Sequence, residues 1–79
     1  MTMSQRLSAA FRENLSVLLT KRGWSQNMLA DKMGVTKGYV SQLLRGHSGV
    51  GLDAVENAAQ ALEVDPYVLI KERKSNRAS

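Results

Sequence analysis

The sequence predicts an all-α domain of five short helices, and three observations predict it. Apolar residues recur with helical period, a glycine closes each of the first three periodic segments, and four apolar pairs bracket the proposed helix starts. No stretch shows the strict alternation of a half-buried strand, and no internal repeat is visible.

Helix one is expected near 7–22, where Leu7, Phe11, Leu15, Leu18 and Leu19 line up one apolar stripe ahead of Gly23. Helix two follows near 26–33, with Ser25 placed to accept a hydrogen bond from the free N–H groups of its first turn and Gly34 as its stop. Helix three, near 37–45, is framed in the same way by Thr36 and Gly46. Helix four, near 52–62, starts from Gly51, a poorer cap because it has no side-chain acceptor. Helix five, near 66–73, starts from Asp65 with Pro66 at its first position, where proline's missing N–H costs nothing. Before each of the last four helices an apolar residue pairs with another five positions on: Trp24 with Leu29, Val35 with Val40, Val50 with Val55, Val64 with Leu69. In a chain that is 43% apolar, one such staple arises by chance about one time in five; four together support the boundaries.

Seventy-nine residues close a single core, so the chain is expected to be one domain over 1–79, with an ordered part about 6–73 and a polar tail at 74–79. There is no cysteine, and the single histidine, His47, cannot hold a metal alone. Neither disulfide, metal nor cofactor is expected, and helix packing must hold the fold. The longest apolar run, Tyr67 to Ile70, falls far short of the roughly 20 residues that span a bilayer. The first residues lack the apolar stretch of a signal peptide. A soluble cytoplasmic protein is expected.

The net charge of +4 is unevenly distributed. Residues 1–50 carry Arg6, Arg12, Lys21, Arg22, Lys32, Lys37 and Arg45 against Glu13 and Asp31, seven minus two or +5. Residues 51–70 hold Asp53, Glu56, Glu63 and Asp65 with no Lys or Arg, or −4, and residues 71–79 return to +3. A polyanion suits the first half, although a merely solvated basic surface accounts for the same charges equally well.

The segment Gln26 to Arg45, QNMLADKMGVTKGYVSQLLR, is more specific than charge. Ala30 is small where two helices would cross, Gly34 stands at the turn, and Val40 and Leu43 anchor the second helix. This segment resembles the helix-turn-helix of the lambda-repressor-like family of phage repressors and Cro proteins. LDAVENAAQALEV, residues 52–64, resembles the family's helix four, so the likeness covers nearly the whole chain. It implies a five-helix DNA-binding domain with the helix-turn-helix formed by helices two and three. It further implies a transcriptional regulator, most commonly a dimeric repressor on an inverted-repeat operator, in the cytoplasm of a bacterium or phage-infected cell and associated with the nucleoid.

The residues of helix three agree without the family. At about 100° per residue, Tyr39, Val40, Leu43 and Leu44 fall on one side, and Lys37, Gly38, Ser41, Gln42 and Arg45 on the other. Gln can address adenine N6 and N7, Lys and Arg guanine O6 and N7 or phosphate, and Ser and Thr several base edges. Thr36, Lys37, Gly38, Ser41 and Gln42 are therefore the expected base-reading residues, against the alternative of an ordinary solvated helix face. Gly38 would let the backbone approach the bases, or is a tolerated weak position. Backbone phosphates are expected at Gln26, from the family's habit and the free N–H groups of a helix start, and at Tyr39, Arg45 and His47. The Tyr39 ring alternatively packs, and His47 alternatively belongs to a surface loop.

Two departures from the family stand out. Many members bury an Arg of helix one against a Glu of helix three, where this chain has Leu19 and Leu44. Exchanging both partners for apolar residues strands no charge, so the paired change predicts direct contact between the two leucines. The second departure is the absence of a proline in the loop before helix four.

Family comparison turns Leu69 and Ile70 inward, leaving Tyr67 and Val68 as the expected homodimer interface, unless they are isolated exposed hydrophobes. A rival reading is an antitoxin or adaptor that works through a protein docked on the acidic 51–70 region. An enzyme is not expected, because His47 has no nucleophile or paired acid in a recognisable arrangement. No small-molecule ligand site and no membrane association are evident.

Overall fold

Among the described residues five helices run in the order α1 (Met3–Arg22), α2 (Gln26–Met33), α3 (Lys37–Arg45), α4 (Leu52–Leu62) and α5 (Pro66–Ile70). The structure, a computed structural model, describes residues 3–46 and 50–72, so the expectation for His47 lies outside the described residues. The bounds of α2, α3 and α4 are those expected from caps and staples.

Three of the connections are three residues long and built to one plan. At the end of α1, Trp24 N–H donates to Leu19 O (2.9 Å) and Gly23 N–H to Thr20 O (3.2 Å). The end of α2 repeats this with Val35 to Ala30 (3.0 Å) and Gly34 to Asp31 (3.3 Å), and the end of α4 with Val64 to Ala59 (3.0 Å) and Glu63 to Gln60 (3.1 Å). These crossed pairs satisfy the free carbonyls of a helix end and need a left-handed residue just past it. Gly23 and Gly34 supply it at φ 69° and 74°, without the Cβ penalty of other residues. The apolar residue after the stop, Trp24, Val35 or Val64, is also the first half of the staple that starts the next helix, and each packs against the core. One side chain thus closes one helix and opens the next. The caps then follow: Ser25 Oγ accepts from Met28 N–H (3.1 Å), Thr36 Oγ1 from Tyr39 N–H (3.1 Å) and Asp65 Oδ1 from Tyr67 N–H (2.9 Å).

The helices enclose one core of Phe11, Leu15, Leu19, Leu29, Ala30, Met33, Val40, Leu43, Ala54, Val55, Ala58, Ala59, Leu62 and Leu69. Ala58 and Ala59 are small enough to bring α4 close to its neighbours, and α2 and α5 both pack on it. No helix among the described residues is long and apolar enough to cross a membrane.

Three expectations are corrected. Helix α1 begins at Met3, earlier than 7, because no residue before Leu7 breaks a helix and the turn propagates back. Leu7 is 40% exposed and leaves the apolar stripe, while the neighbouring Ser8 and Ala10 are buried. Ser8 is buried for a polar reason: its Oγ accepts from Val50 N–H (3.3 Å), which fastens the start of the α4 segment to α1. Helix α5 stops at Ile70, short of 73, and Lys71 turns extended (φ −68°, ψ 144°). The cause is Asn14, whose Nδ2 donates to both Leu69 O (3.0 Å) and Lys71 O (2.7 Å); no helical continuation would present those two carbonyls together. Helix α4 ends where expected, at Leu62, on a left-handed cap, Glu63 at φ 59°, that no glycine announces.

Candidate nucleic-acid interface

Helix α3 owes its orientation to one side. Val40 and Leu43 are buried and Leu44 packs against the core from the edge, while α1 and α2 both meet the helix. Lys37, Gly38, Gln42 and Arg45 are exposed, and Ser41 is half-buried. The two faces read from periodicity are therefore the two faces present, with Ser41 nearer the boundary than expected. Tyr39 is 39% exposed, so it lies at the edge of the buried side.

Thr36 is exposed at the N-terminal end of α3. Its Oγ1 accepts the Tyr39 N–H (3.1 Å), which uses an acceptor lone pair and leaves the hydroxyl proton to donate outward. Gly38 is not required by the protein itself. A Cβ added there would meet only Thr36 Oγ1 at 3.9 Å, an ordinary contact, and Gly38 is not among the positive-φ glycines.

Gln26, the first residue of α2, is half-buried beside the Ser25 cap. Helices α2 and α3 pack on each other across Gly34, Val35 and Thr36. Gln26 stands at the end of α2 remote from that turn. On α5, Tyr67 is 64% exposed and Val68 is half-buried. The expected interface residues on α5 thus differ, with Tyr67 the freer of the two.

The division of charge along the chain becomes a division between elements. Lys21, Arg22, Lys32, Lys37 and Arg45 are exposed on α1, α2 and α3, whereas Asp53, Glu56, Glu63 and Asp65 are exposed on α4 and on the caps around it. Arg22 and Lys32 both lie over the Trp24 ring, at 5.6 and 5.8 Å from its centroid. Cations so placed are held by the ring's negative faces and keep their charge outward near the start of α2.

Several residues that position these helices carry no local signal. Asn57 Nδ2 donates to Met33 O (3.2 Å), tying α4 to the end of α2 just before the turn. Arg6 makes a two-toothed ion pair with Glu72, Nε to Oε2 at 2.8 Å and Nη2 to Oε1 at 2.9 Å, across the ends of α1 and the α5 segment. Arg12 lies against Gly46 at the end of α3. Each of these pairs joins residues far apart in the chain, and no short motif marks them. Among the described residues no group of three His, Cys, Asp or Glu side chains is placed to hold a metal ion.

Comparison with known proteins identifies the relatives of this arrangement. A family model described as helix-turn-helix matches residues 15–69. A "Neisseria hypothetical transcription factor" from Neisseria meningitidis serogroup B (strain ATCC BAA-335 / MC58) is 35% identical over 66 residues, which make up 84% of this chain and 62% of the relative. The chain thus matches less than two thirds of that protein's length. Among solved structures, that of the hypothetical transcription factor NHTF from Neisseria superposes with a TM-score of 0.79 at 32% identity, over 91% of this chain and 83% of the other. The restriction-modification controller protein C.AhdI from Aeromonas hydrophila superposes with a TM-score of 0.71 at 34% identity, over 78% of this chain and 94% of its own.

Proposed function

This chain belongs to the helix-turn-helix family, and we propose that it is a DNA-binding transcriptional regulator, a dimeric repressor of the lambda-repressor-like kind, reading an inverted-repeat operator in the major groove. This reading assigns it no catalysis, in keeping with relatives described as a hypothetical transcription factor and a restriction-modification controller protein. The observation that carries the finer reading is α3, anchored by Val40 and Leu43 and presenting Lys37, Gly38 and Gln42 to solvent.

In this reading Thr36, Lys37, Gly38, Ser41 and Gln42 address base edges, while Gln26, Tyr39 and Arg45 contact phosphates. One such helix reads only a few base pairs. Two, related by a two-fold axis through Tyr67 and Val68 of α5, read half-sites about 34 Å apart. Bound over a promoter, the dimer excludes polymerase by occupancy, and its affinity falls steeply with salt as counterions are released.

Selection of binding sites from random duplex DNA tests this, and an enriched inverted repeat is the expected product. Gln42→Ala should then lose roughly 1–3 kcal/mol of discrimination at one position of each half-site, whereas Gln26→Ala should weaken all sites alike. Enrichment of no sequence would defeat the repressor reading. Gly38→Ala separates local stability from DNA approach. With room for the methyl group, the melting temperature should rise, glycine being worse than alanine in a helix by about 1 kcal/mol. Operator affinity should fall if the backbone lies against the bases, and an unchanged affinity removes Gly38 from the reading face.

The dimer is tested by Tyr67→Glu, chosen because Tyr67 contributes least to its own core. Light scattering should give half the parent mass at micromolar concentration, with the helical circular dichroism retained. A variant that keeps the parent's dimeric mass excludes this interface.

A further inference from the structure

Arg12 stands apart from the chain's other arginines of α1. Arg6 is paired with Glu72 and Arg22 lies over Trp24, but the Arg12 guanidinium has no hydrogen bond or ion pair among the described residues, although the side chain is half-buried. Its five donors are partly withdrawn from water without an acceptor in return. The group sits against Gly46, the left-handed cap of α3 (φ 76°). A Cβ on residue 46 would fall 2.6 Å from Arg12 Cζ, 2.7 Å from Nε and 2.8 Å from Nη1. Gly46 therefore serves twice: it takes the left-handed turn and leaves the space that the guanidinium fills.

The place is informative. Nine residues of α3 extend about 13 Å at 1.5 Å each, and the major groove is about 12 Å wide. A helix with its N-terminal end at the base edges has its other end at the groove wall, where the phosphates are. Partial negative charge on the last carbonyls of α3 favours a cation there, but it does not satisfy a fork of N–H donors built for two oxygens of one anion.

Resting on the DNA reading above, we infer that Arg12 is a phosphate anchor: its guanidinium binds the two free oxygens of one phosphodiester at the C-terminal end of α3. Helix α1 then takes part directly in DNA binding, and the half-burial against Gly46 holds the fork in place before the anion arrives, which lowers the cost of ordering it.

The test is titration of the wild type, Arg12→Gln and Arg12→Lys with one selected operator duplex, followed by fluorescence anisotropy over a series of salt concentrations. Melting of the free proteins is measured alongside. Arg12→Gln should bind about tenfold more weakly at low salt, on operator and unrelated duplex alike, and the slope of log K against log salt should flatten by about one. Arg12→Lys should keep the slope but lose part of the affinity, since it retains the charge and not the fork. An unchanged slope for Arg12→Gln, with or without a lower melting temperature, overturns the inference and leaves Arg12 a positioning residue for α3. A loss confined to the operator overturns it too, since a phosphate contact is blind to sequence. If the wild type itself binds no duplex, the DNA reading fails first, and that result is visible before any variant is compared.

Discussion

Asn14→Asp is expected to be among the most destabilising changes available in this chain. Asn14 is 3% exposed and its Nδ2 donates to Leu69 O and Lys71 O, at 3.0 and 2.7 Å. An ionised carboxylate in its place would face two carbonyl oxygens with no proton to offer, from a side chain that is buried. Leaving a buried carbonyl unpaired costs about 1–3 kcal/mol, so even Asn14→Ala should lose about 3 kcal/mol over the two. For a domain of this size that is a fall in melting temperature of roughly 10–20 °C. The aspartate variant should be worse at neutral pH and should recover on acidification. Burial and the facing carbonyls raise the folded-state pKa of the introduced carboxyl above its unfolded value of about 3.9. A raised acid stabilises the fold below the unfolded value and loses that contribution as pH rises through the folded one. Relative to wild type, the deficit should therefore be smallest near pH 4, where the single carboxyl O–H still leaves one of the two carbonyls without a donor, and grow toward pH 7. Thermal melts of the three proteins at several pH values check this. A deficit independent of pH would mean that the carboxyl escapes to water and that the α5 clasp yields.

That clasp also marks the boundary of what the sequence made legible. Helix ends were readable because their chemistry is local: Ser25, Thr36 and Asp65 cap residues two or three positions away, and Gly23, Gly34 and Gly46 announce their left-handed backbone by lacking a side chain. The single left-handed non-glycine among the described residues, Glu63, was invisible for the converse reason. What neither period nor cap encodes is polar contact across the fold. Ser8 to Val50, Asn57 to Met33 and Asn14 to the end of α5 join residues 24 to 57 positions apart. Periodicity treats such residues as solvent-facing, so Ser8 was overlooked and Leu7 was given the burial instead. For the candidate site, the exposed row of α3 was legible from a helical wheel. The placement of Arg12 on Gly46 was not, because it depends on how α1 crosses the end of α3.

That crossing also decides the second large effect, at Leu19 and Leu44. Leu19 is 6% exposed, and Leu44 packs on the same core from α3, the helix that meets α1. Leu19→Arg alone buries a charge with no partner, a change that costs about 3–5 kcal/mol. A domain of 79 residues has roughly 4–12 kcal/mol in all, so the variant should be largely unfolded or melt far below the parent. Leu44→Glu alone should be milder, because a half-buried position lets the carboxylate turn toward water. If the two side chains touch, as the apolar replacement of a family ion pair implies, the double variant restores that pair and should be more stable than Leu19→Arg by at least about 1 kcal/mol. Simple addition of the two losses would mean that the leucines sit in the core without meeting. The parent should remain the most stable of the four, since a buried ion pair seldom outdoes well-packed hydrocarbon. The comparison bears on DNA binding as well as on stability. Leu44 lies one residue from Arg45 and two from Gly46, so whatever braces it against α1 also sets the angle at which the exposed row of α3 leaves the protein.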